Sequence, residues 1–152
     1  MRNLGRLIGC GLLCLVAGCG AKSEKPFTKA TIKVSGIITV DGEPPATPIQ
    51  LECRSELVSD AEHPSVSSAT TLEDGSFEIS TYAPGDGVPE GSYSLVATCL
   101  KFDPLSNQFK EPDLLRGKYD AIDESPKKFE VADGDEPLDL GTIDLKGSGK
   151  KK

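Results

Sequence analysis

The residue types that carry most enzymatic chemistry are scarce in this chain. There is one histidine, His63, in a polar stretch beside Pro64 and near Ser59, Asp60 and Ser65. A histidine, a carboxylate and a serine can act as base and nucleophile, but the base must be positioned and is usually held in a pocket that buries it. No nucleophile motif surrounds these residues. The sequence therefore predicts an exposed loop histidine and a protein that is not an enzyme.

Acidic residues followed by glycine recur along the chain and raise the question of calcium. The Asp-Gly pairs begin at Asp41, Asp74, Asp86 and Asp133, and Asp135 follows the last pair closely. Carboxylates in Gly-rich loops can supply the oxygen ligands that Ca²⁺ prefers. None of these segments has the spacing of an EF-hand loop, and Asp-Gly is also the usual signal of a hairpin turn. We therefore expect turns here, no metal and no cofactor.

The N-terminal segment has the composition of an export signal. Arg2 and Arg6 precede an apolar run from Leu7 to Ala17, and no acidic residue lies before Cys19. The run is too short to span a bilayer as a helix, which takes about 20 residues. Its length and flanks are those of a signal-peptide core. We therefore expect residues 1–18 to be a signal peptide.

The end of this run resembles the bacterial lipobox, in the residues Leu15-Val16-Ala17-Gly18-Cys19. The resemblance implies a diacylglyceryl group on the Cys19 thiol and cleavage between Gly18 and Cys19. Residues 19–31 are polar and lack strand alternation, so we expect a flexible tether. The acyl chains would hold the protein in the cell envelope, on the outer side of the cytoplasmic membrane or at the outer membrane. The alternatives are an ordinary signal peptide with a chance cysteine, or an uncleaved membrane stub.

Two further cysteines belong to the domain that follows. Cys53 shares the spacing of Ile49 and Leu51, and Cys99 that of Leu95, so both are expected to face the core. Without a Cys-x-x-Cys pair or a histidine cluster, zinc is not expected. In an exported domain a disulfide between Cys53 and Cys99 is the expectation, and two buried free thiols are the alternative.

The charge balance bears on partners. The chain has 17 basic and 24 acidic residues and a net charge of -7. An acidic surface repels phosphate backbones, so nucleic acid is not an expected partner. Residues 146–152 end in Lys150-Lys151-Lys152 and are expected to form a basic disordered tail.

Alternation of apolar and polar residues predicts strands in the rest of the chain. Seven short strands separated by turn signals indicate an all-β domain over residues 32–145, a sandwich or a barrel. A change of parity at Gly141 predicts a β-bulge in the last strand. The stretch from Leu100 to Pro126 is expected to be irregular, with one helical turn at 112–116.

Three stretches together resemble a known family. Val34 to Pro44 (VSGIITVDGEP) resembles V-x-G-x-V-x-x-D-G-x-P. Glu73 to Phe77 (EDGSF) resembles D-x-D-G-x-F with a glutamate as its first acidic residue, and Gly91 to Leu95 (GSYSL) resembles P-G-x-Y-x-V with Glu90 in place of the proline. The pattern is similar to that of carboxypeptidase regulatory-like, or transthyretin-like, domains of planctomycete-type envelope lipoproteins. The resemblance implies a seven-stranded Greek-key β-sandwich. These are turn and strand motifs, so they speak to fold more than to function.

Such domains are typically non-catalytic modules, and the resemblance therefore implies a structural or interaction module. We expect it to touch the membrane through the N-terminal lipid and to meet an unknown envelope protein or cell-wall component. The alternative is a carbohydrate- or peptidoglycan-binding domain, which requires exposed aromatic residues; the candidates are Tyr82, Phe102, Phe109 and Tyr119. A solvent-facing cluster between Leu100 and Pro126 would favour it. A pocket that gathers His63 with a carboxylate and a serine would favour an enzyme.

Overall fold

The computed structural model describes residues 26–55 and 62–147, and within them the chain is all-β. The described residues form nine strands and no helix. They therefore contain no apolar helix long enough to cross a membrane. The strands are β1 Val34–Val40, β2 Gln50–Ser55, β3 Ser67–Thr70, β4 Ser76–Glu78, β5 Gly91–Thr98, β6 Lys101–Asp103, β7 Gln108–Lys110, β8 Lys127–Val131 and β9 Leu138–Leu145.

Seven of these strands make two sheets. One sheet has the order β3-β2-β5-β8, with every neighbouring pair antiparallel. The other has the order β4-β1-β9, in which β4 is antiparallel and β9 parallel to β1. The remaining two strands, β6 and β7, pair only with each other. All seven strands expected from the alternation are present, and the hairpin of β6 and β7 was not predicted.

The core lies between the two sheets, because the inward residues of both are apolar. Ile38 and Leu145 from one sheet and Leu95 from the other are fully buried. The outward Ile37 of β1 remains 42% exposed. This is the pattern expected of sheets with one face packed and one solvated.

The strand β5 departs from that pattern because its outer face is also covered. Ser94 and Val96 point away from the core, yet they are 0% and 2% exposed. Arg54 is the register partner of Ser94 on β2. Its guanidinium donates to the backbone oxygen of Asp120 at 2.6 Å, so the arginine stem crosses over Ser94. The segment after Tyr119 therefore roofs this part of the sheet.

The predicted bulge at Gly141 is confirmed. Ser35 pairs with Asp139 and Ile37 with Thr142, so β9 has one more residue than β1 over this interval. Gly141 takes φ 70, which glycine adopts without strain.

The predicted helical turn at 112–116 is wrong, because this stretch forms consecutive turns instead. Arg116 donates from its backbone N to the oxygen of Asp113, a three-residue spacing. The Asp113 carboxylate accepts from the backbone N of Leu115 and of Gly117 at 3.0 and 2.7 Å. An aspartate that satisfies these donors itself favours turns over a continued helix.

Candidate functional site

The residues expected to take the lipid lie outside the described part of the chain. Gly18 and Cys19 both precede Pro26, where the described residues begin. The chain then joins the fold near the start of β5. The Phe27 ring stacks on the His63 ring with centroids 3.8 Å apart. Ile32 exchanges backbone hydrogen bonds of 2.8 and 3.0 Å with Val88.

His63 lies exposed, as its sequence context predicts. An open cavity of about 570 Å³ lies beside it and is also lined by Glu52, Glu90 and Ser65. This cavity has the composition expected of an enzyme site. Of its two carboxylates, however, Glu52 pairs with Arg54 at 3.1 Å on the strand surface. A general base is most effective in a site that excludes water, and the exposure of His63 does not provide one.

The predicted disulfide between Cys53 and Cys99 is wrong, because both residues are buried free thiols. In the register of β2 and β5, Cys53 lies opposite Leu95. Cys99 follows Leu95 by four residues, about 13 Å along the strand. A disulfide needs Cα atoms within about 7 Å. Both thiols do face the core, as the alternation predicts, but they lie four residues apart along the same sheet.

Burial governs the chemistry of these thiols. It raises the pKa of Cys53 to about 12, with a smaller contribution from the charge of Glu52. It also raises the pKa of Cys99, with a smaller contribution from Asp113. The reactive species of cysteine is the thiolate. Both residues are therefore inert core side chains at neutral pH.

Three of the Asp-Gly pairs lie in turns, at Asp41, Asp74 and Asp133, which confirms the turn interpretation there; Asp86 instead follows a turn at Pro84-Gly85. Asp41 itself takes φ 54, a conformation common in tight turns. Asp74 accepts from the backbone N and the hydroxyl of Ser76 at 2.9 and 2.6 Å.

The Asp86 carboxylate closes the loop between β4 and β5. It accepts from the backbone N of Thr81, Tyr82 and Ala83 at 2.7, 3.0 and 3.0 Å. Burial raises the pKa of this carboxyl, but the three donors together outweigh burial and the pKa lies below its usual value. Across the residues the structure covers, no three side chains of the metal-binding types come together. The Asp86 carboxylate thus accepts hydrogen bonds from backbone N–H groups of its own loop.

The four aromatic candidates divide into two pairs. Tyr119 is 9% exposed, and its hydroxyl accepts from the backbone N of Lys146 at 2.8 Å. Tyr82 is half-buried. Phe102 and Phe109 are 51% and 53% exposed, and their rings meet edge to face with centroids 5.4 Å apart. The solvent-facing cluster sought between Leu100 and Pro126 is therefore present, as a pair.

This pair belongs to a hairpin that projects from the sandwich. Residues 101–110 form β6, a turn and β7, and Leu105 in the turn is 97% exposed. Among the strands of the described chain, β6 and β7 approach only each other. The signal missed in the sequence is the mirrored order Lys-Phe-Asp and Gln-Phe-Lys around Pro104 to Asn107. Such short arms give little alternation from which to predict a hairpin.

A second surface that sequence reasoning missed lies on the outer face of the three-stranded sheet. A shallow groove of about 600 Å³ runs across it, and its outward residues include Ser35, Ile37, Glu78, Asp139 and Thr142. The groove mixes apolar and acidic side chains without a cluster of groups that could do acid–base or metal chemistry.

No protein-family model matches the sequence, and no curated protein matches it. Among solved structures, a 9R-lipoxygenase from Cyanothece PCC8801 aligns at 19% identity with a TM-score of 0.38. The alignment covers 82% of this chain and 18% of the lipoxygenase chain. At that score the likeness says nothing about function.

Proposed function

We propose that this chain is a lipid-anchored, non-enzymatic envelope protein whose domain acts as an interaction module. The projecting hairpin carries this proposal. Phe102, Leu105 and Phe109 present apolar surface to solvent on an ordered element that no other strand of the described chain covers. Contiguous exposed apolar side chains of this kind are typical of binding surfaces.

The proposed anchor is the lipid on Cys19. The fold supports an arrangement in which the anchor and the hairpin lie at different ends of the domain. The chain enters the domain where Ile32 pairs with Val88, just before β5. The hairpin starts at Lys101, just after β5 ends. The eight residues of β5 separate the two by about 26 Å. The anchored end and the binding end are therefore different ends of the domain.

The proposal includes the finer fold assignment, a transthyretin-like Greek-key sandwich with seven strands in its two sheets. Its support is the order of the strands. The chain passes from one sheet to the other four times, between β1 and β2, β3 and β4, β4 and β5, and β8 and β9. Crossings between sheets are how Greek-key sandwiches are connected.

A second candidate function is binding of carbohydrate or peptidoglycan. The half-exposed pair of Phe102 and Phe109 favours it, since sugars pack against exposed aromatic rings. Pelleting of the protein with isolated peptidoglycan, and loss of pelleting in Phe102→Ala/Phe109→Ala, would support this candidate. Retention of the double variant in the pellet would contradict a role for these rings.

The anchor is tested by labelling with radioactive palmitate in a bacterium that processes lipoproteins. The wild-type chain and Cys14→Ser, a matched control in the same N-terminal segment, should incorporate label. Cys19→Ser should incorporate none and should accumulate as a precursor or as an unlabelled soluble product. Label in Cys19→Ser equal to that of wild type would contradict the lipoprotein proposal.

The non-enzymatic part is tested with a panel of ester, peptide and glycoside substrates. The purified protein should hydrolyse none of them above the buffer rate. Turnover that disappears in His63→Ala would show that the cavity beside His63 is an active site.

A further inference from the structure

The Asp-Gly pairs of this chain differ in how far they are protected from a reaction to which such pairs are prone. They begin at Asp41, Asp74, Asp86 and Asp133. In an Asp-Gly pair the backbone N of the glycine can attack the side-chain carboxyl carbon of the aspartate, and glycine has no side chain to obstruct the ring that forms. The attack requires a nitrogen that no hydrogen bond holds and a backbone that is able to turn.

In three of the pairs the glycine N–H is already a hydrogen-bond donor. Gly42 donates to Oδ1 of Asp144 at 2.8 Å. Gly75 and Gly87 donate to backbone oxygens at 3.0 and 2.9 Å. Each of these bonds must break before the nitrogen can attack, so each pair is protected by the fold.

Two of the carboxyl groups are held as well. Asp74 accepts from the hydroxyl and the backbone N of Ser76, and the hydroxyl holds the pKa of Asp74 below its usual value. Ring closure expels the carboxyl OH as water and therefore needs the neutral acid, which a low pKa makes scarcer at neutral pH. Asp86 accepts three backbone hydrogen bonds, which fix the direction of its carboxylate.

The fourth pair, Asp133-Gly134, has none of these restraints. Within residues 26–55 and 62–147, no hydrogen bond engages the backbone N of Gly134, and no hydrogen bond or ion pair engages the Asp133 carboxylate. Residues 132–137 are exposed, and a Cβ built on Gly134 meets nothing within 4 Å. The turn is closed around the pair, by the backbone N of Asp135 donating to the oxygen of Ala132 at 3.1 Å. A free nitrogen thus lies beside a free and solvated carboxyl.

We propose that Asp133 is a site of spontaneous modification, at which the folded protein forms isoaspartate while its other three Asp-Gly pairs are preserved. The Gly134 nitrogen bonds to the side-chain carboxyl carbon of Asp133, and the carboxyl OH leaves as water together with the amide proton. Water then opens the five-membered imide at either carbonyl. Opening at the original backbone carbonyl gives isoaspartate, and opening at the other restores aspartate. The net reaction changes neither mass nor charge, and water is its only co-reactant.

The product lengthens the backbone by one methylene in the turn between β8 and β9. These strands are the outermost of their respective sheets. Val131, at the end of β8, is buried, whereas the turn itself is in water. The extra length is therefore taken up in solvent, and the core is left intact. This modification goes beyond the proposed function, because it depends on neither the lipid anchor nor the hairpin.

Tryptic peptides separate the pairs. Asp41 falls in peptide 34–54, Asp74 and Asp86 fall in peptide 55–101, and Asp133 falls in peptide 129–146. The mature chain from Cys19 to Lys152 with Cys19→Ala, to which no lipid is attached, is incubated folded in neutral buffer made with oxygen-18 water and is then digested in ordinary water. Each passage through the imide incorporates one heavy oxygen, and electron-transfer fragmentation distinguishes isoaspartate from aspartate.

Peptide 129–146 should take up label about tenfold faster than either other peptide, because no hydrogen bond has to break first. Its isoaspartate should lie at position 133. Asp133→Glu, whose ring would have six members, should abolish this label. Asp144→Ala removes the acceptor of the Gly42 N–H and should raise the label in peptide 34–54 alone. In urea, uptake per Asp-Gly pair should be equal.

Equal uptake by the three peptides of the folded chain, or faster uptake by one of the other two, overturns the proposal. Label in peptide 129–146 that persists in Asp133→Glu belongs to another aspartate and overturns it as well. Unchanged uptake by peptide 34–54 in Asp144→Ala would refute the protection by hydrogen bonds on which the proposal depends. Should Asp144→Ala fail to fold, peptide 55–101 would also gain label, and a second variant, Thr39→Val, in which Asp144 keeps its bond to Gly42, should then leave peptide 34–54 protected.

Discussion

Among the described glycines, we expect substitution of Gly87 by alanine to lower the unfolding free energy most. It takes φ 92, and a Cβ built there would lie 1.8 Å from the backbone oxygen of Ile32. That oxygen accepts the hydrogen bond from Val88, and Ile32 donates back to Val88. The Gly87→Ala variant must therefore push Ile32 away by more than about 1 Å to reach an ordinary contact. The displaced pair is the one that fastens the N-terminal segment to the domain.

The expected cost follows from two contributions. The positive φ costs an alanine about 1 kcal/mol, and the two lost backbone hydrogen bonds cost about 1 kcal/mol each. The sum is about 3 kcal/mol of unfolding free energy. Gly134 has φ 82 with nothing within 4 Å of its built Cβ. Gly134→Ala, the matched control, should therefore lose only about 1 kcal/mol.

Urea unfolding followed by circular dichroism measures both variants. Gly87→Ala should be about 2 kcal/mol less stable than Gly134→Ala, which corresponds to about 10 °C in Tm for a domain of this size. Trypsin should also cut Gly87→Ala faster after Lys33, because Ile32 no longer pairs with Val88. Equal stabilities of the two variants, within about 0.5 kcal/mol, would refute the steric reasoning.

Three further outcomes follow from the same structure. In the mature Cys19→Ala chain, Cys53 and Cys99 should resist iodoacetamide at pH 8 while the protein is folded, and both should be alkylated in urea without reductant. If both cysteines stay unalkylated in urea until a reductant is added, they form a disulfide and this prediction is wrong. Asp86→Asn should be less stable than wild type at pH 7. Because the folded pKa of Asp86 is depressed, its stabilisation is complete above about pH 4 and is lost as the pH falls through the folded value, so the gap between the two proteins should close in acid; a gap that is constant with pH would contradict this. Arg54→Met should lower the unfolding free energy by about 1–3 kcal/mol through the lost bond to Asp120, and no change in urea unfolding would contradict it.

Alternation along the chain predicted the strands of the two sheets well, because their inward residues are apolar and their outward residues are mostly polar. At Gly141, alternation also predicted a local irregularity. The change of parity in β9 is visible in the sequence, and the structure confirms that a bulge causes it. The burial of Ser94 was not predictable in the same way, because the cover comes from Arg54 and from a segment distant in sequence.

The disulfide prediction failed because alternation gives the face on which a residue lies and not its position relative to residues on other strands. Parity shows correctly that Cys53 and Cys99 point into the core. It does not show which strands are neighbours or how they are shifted along each other. Here β2 and β5 are adjacent, and their register moves the two thiols four residues apart along the sheet. Register depends on turn geometry and on the whole hydrophobic pattern, and it decided this site.

The hairpin of β6 and β7 differs from the strands of the two sheets, because alternation did not predict it and yet it carries the proposed binding surface. Three-residue arms bury too little to stabilise a hairpin by themselves. Residues 101–110 are nevertheless ordered, with Phe102 against Phe109 and Lys110 paired with Asp103. These contacts hold the hairpin together while leaving Leu105 in water. If folding were the only requirement, a serine at position 105 would fit the turn equally well. Leu105→Ser should therefore leave the unfolding free energy unchanged to within about 0.5 kcal/mol while weakening the binding proposed for the hairpin, and a larger loss of stability would show that Leu105 has a structural role instead.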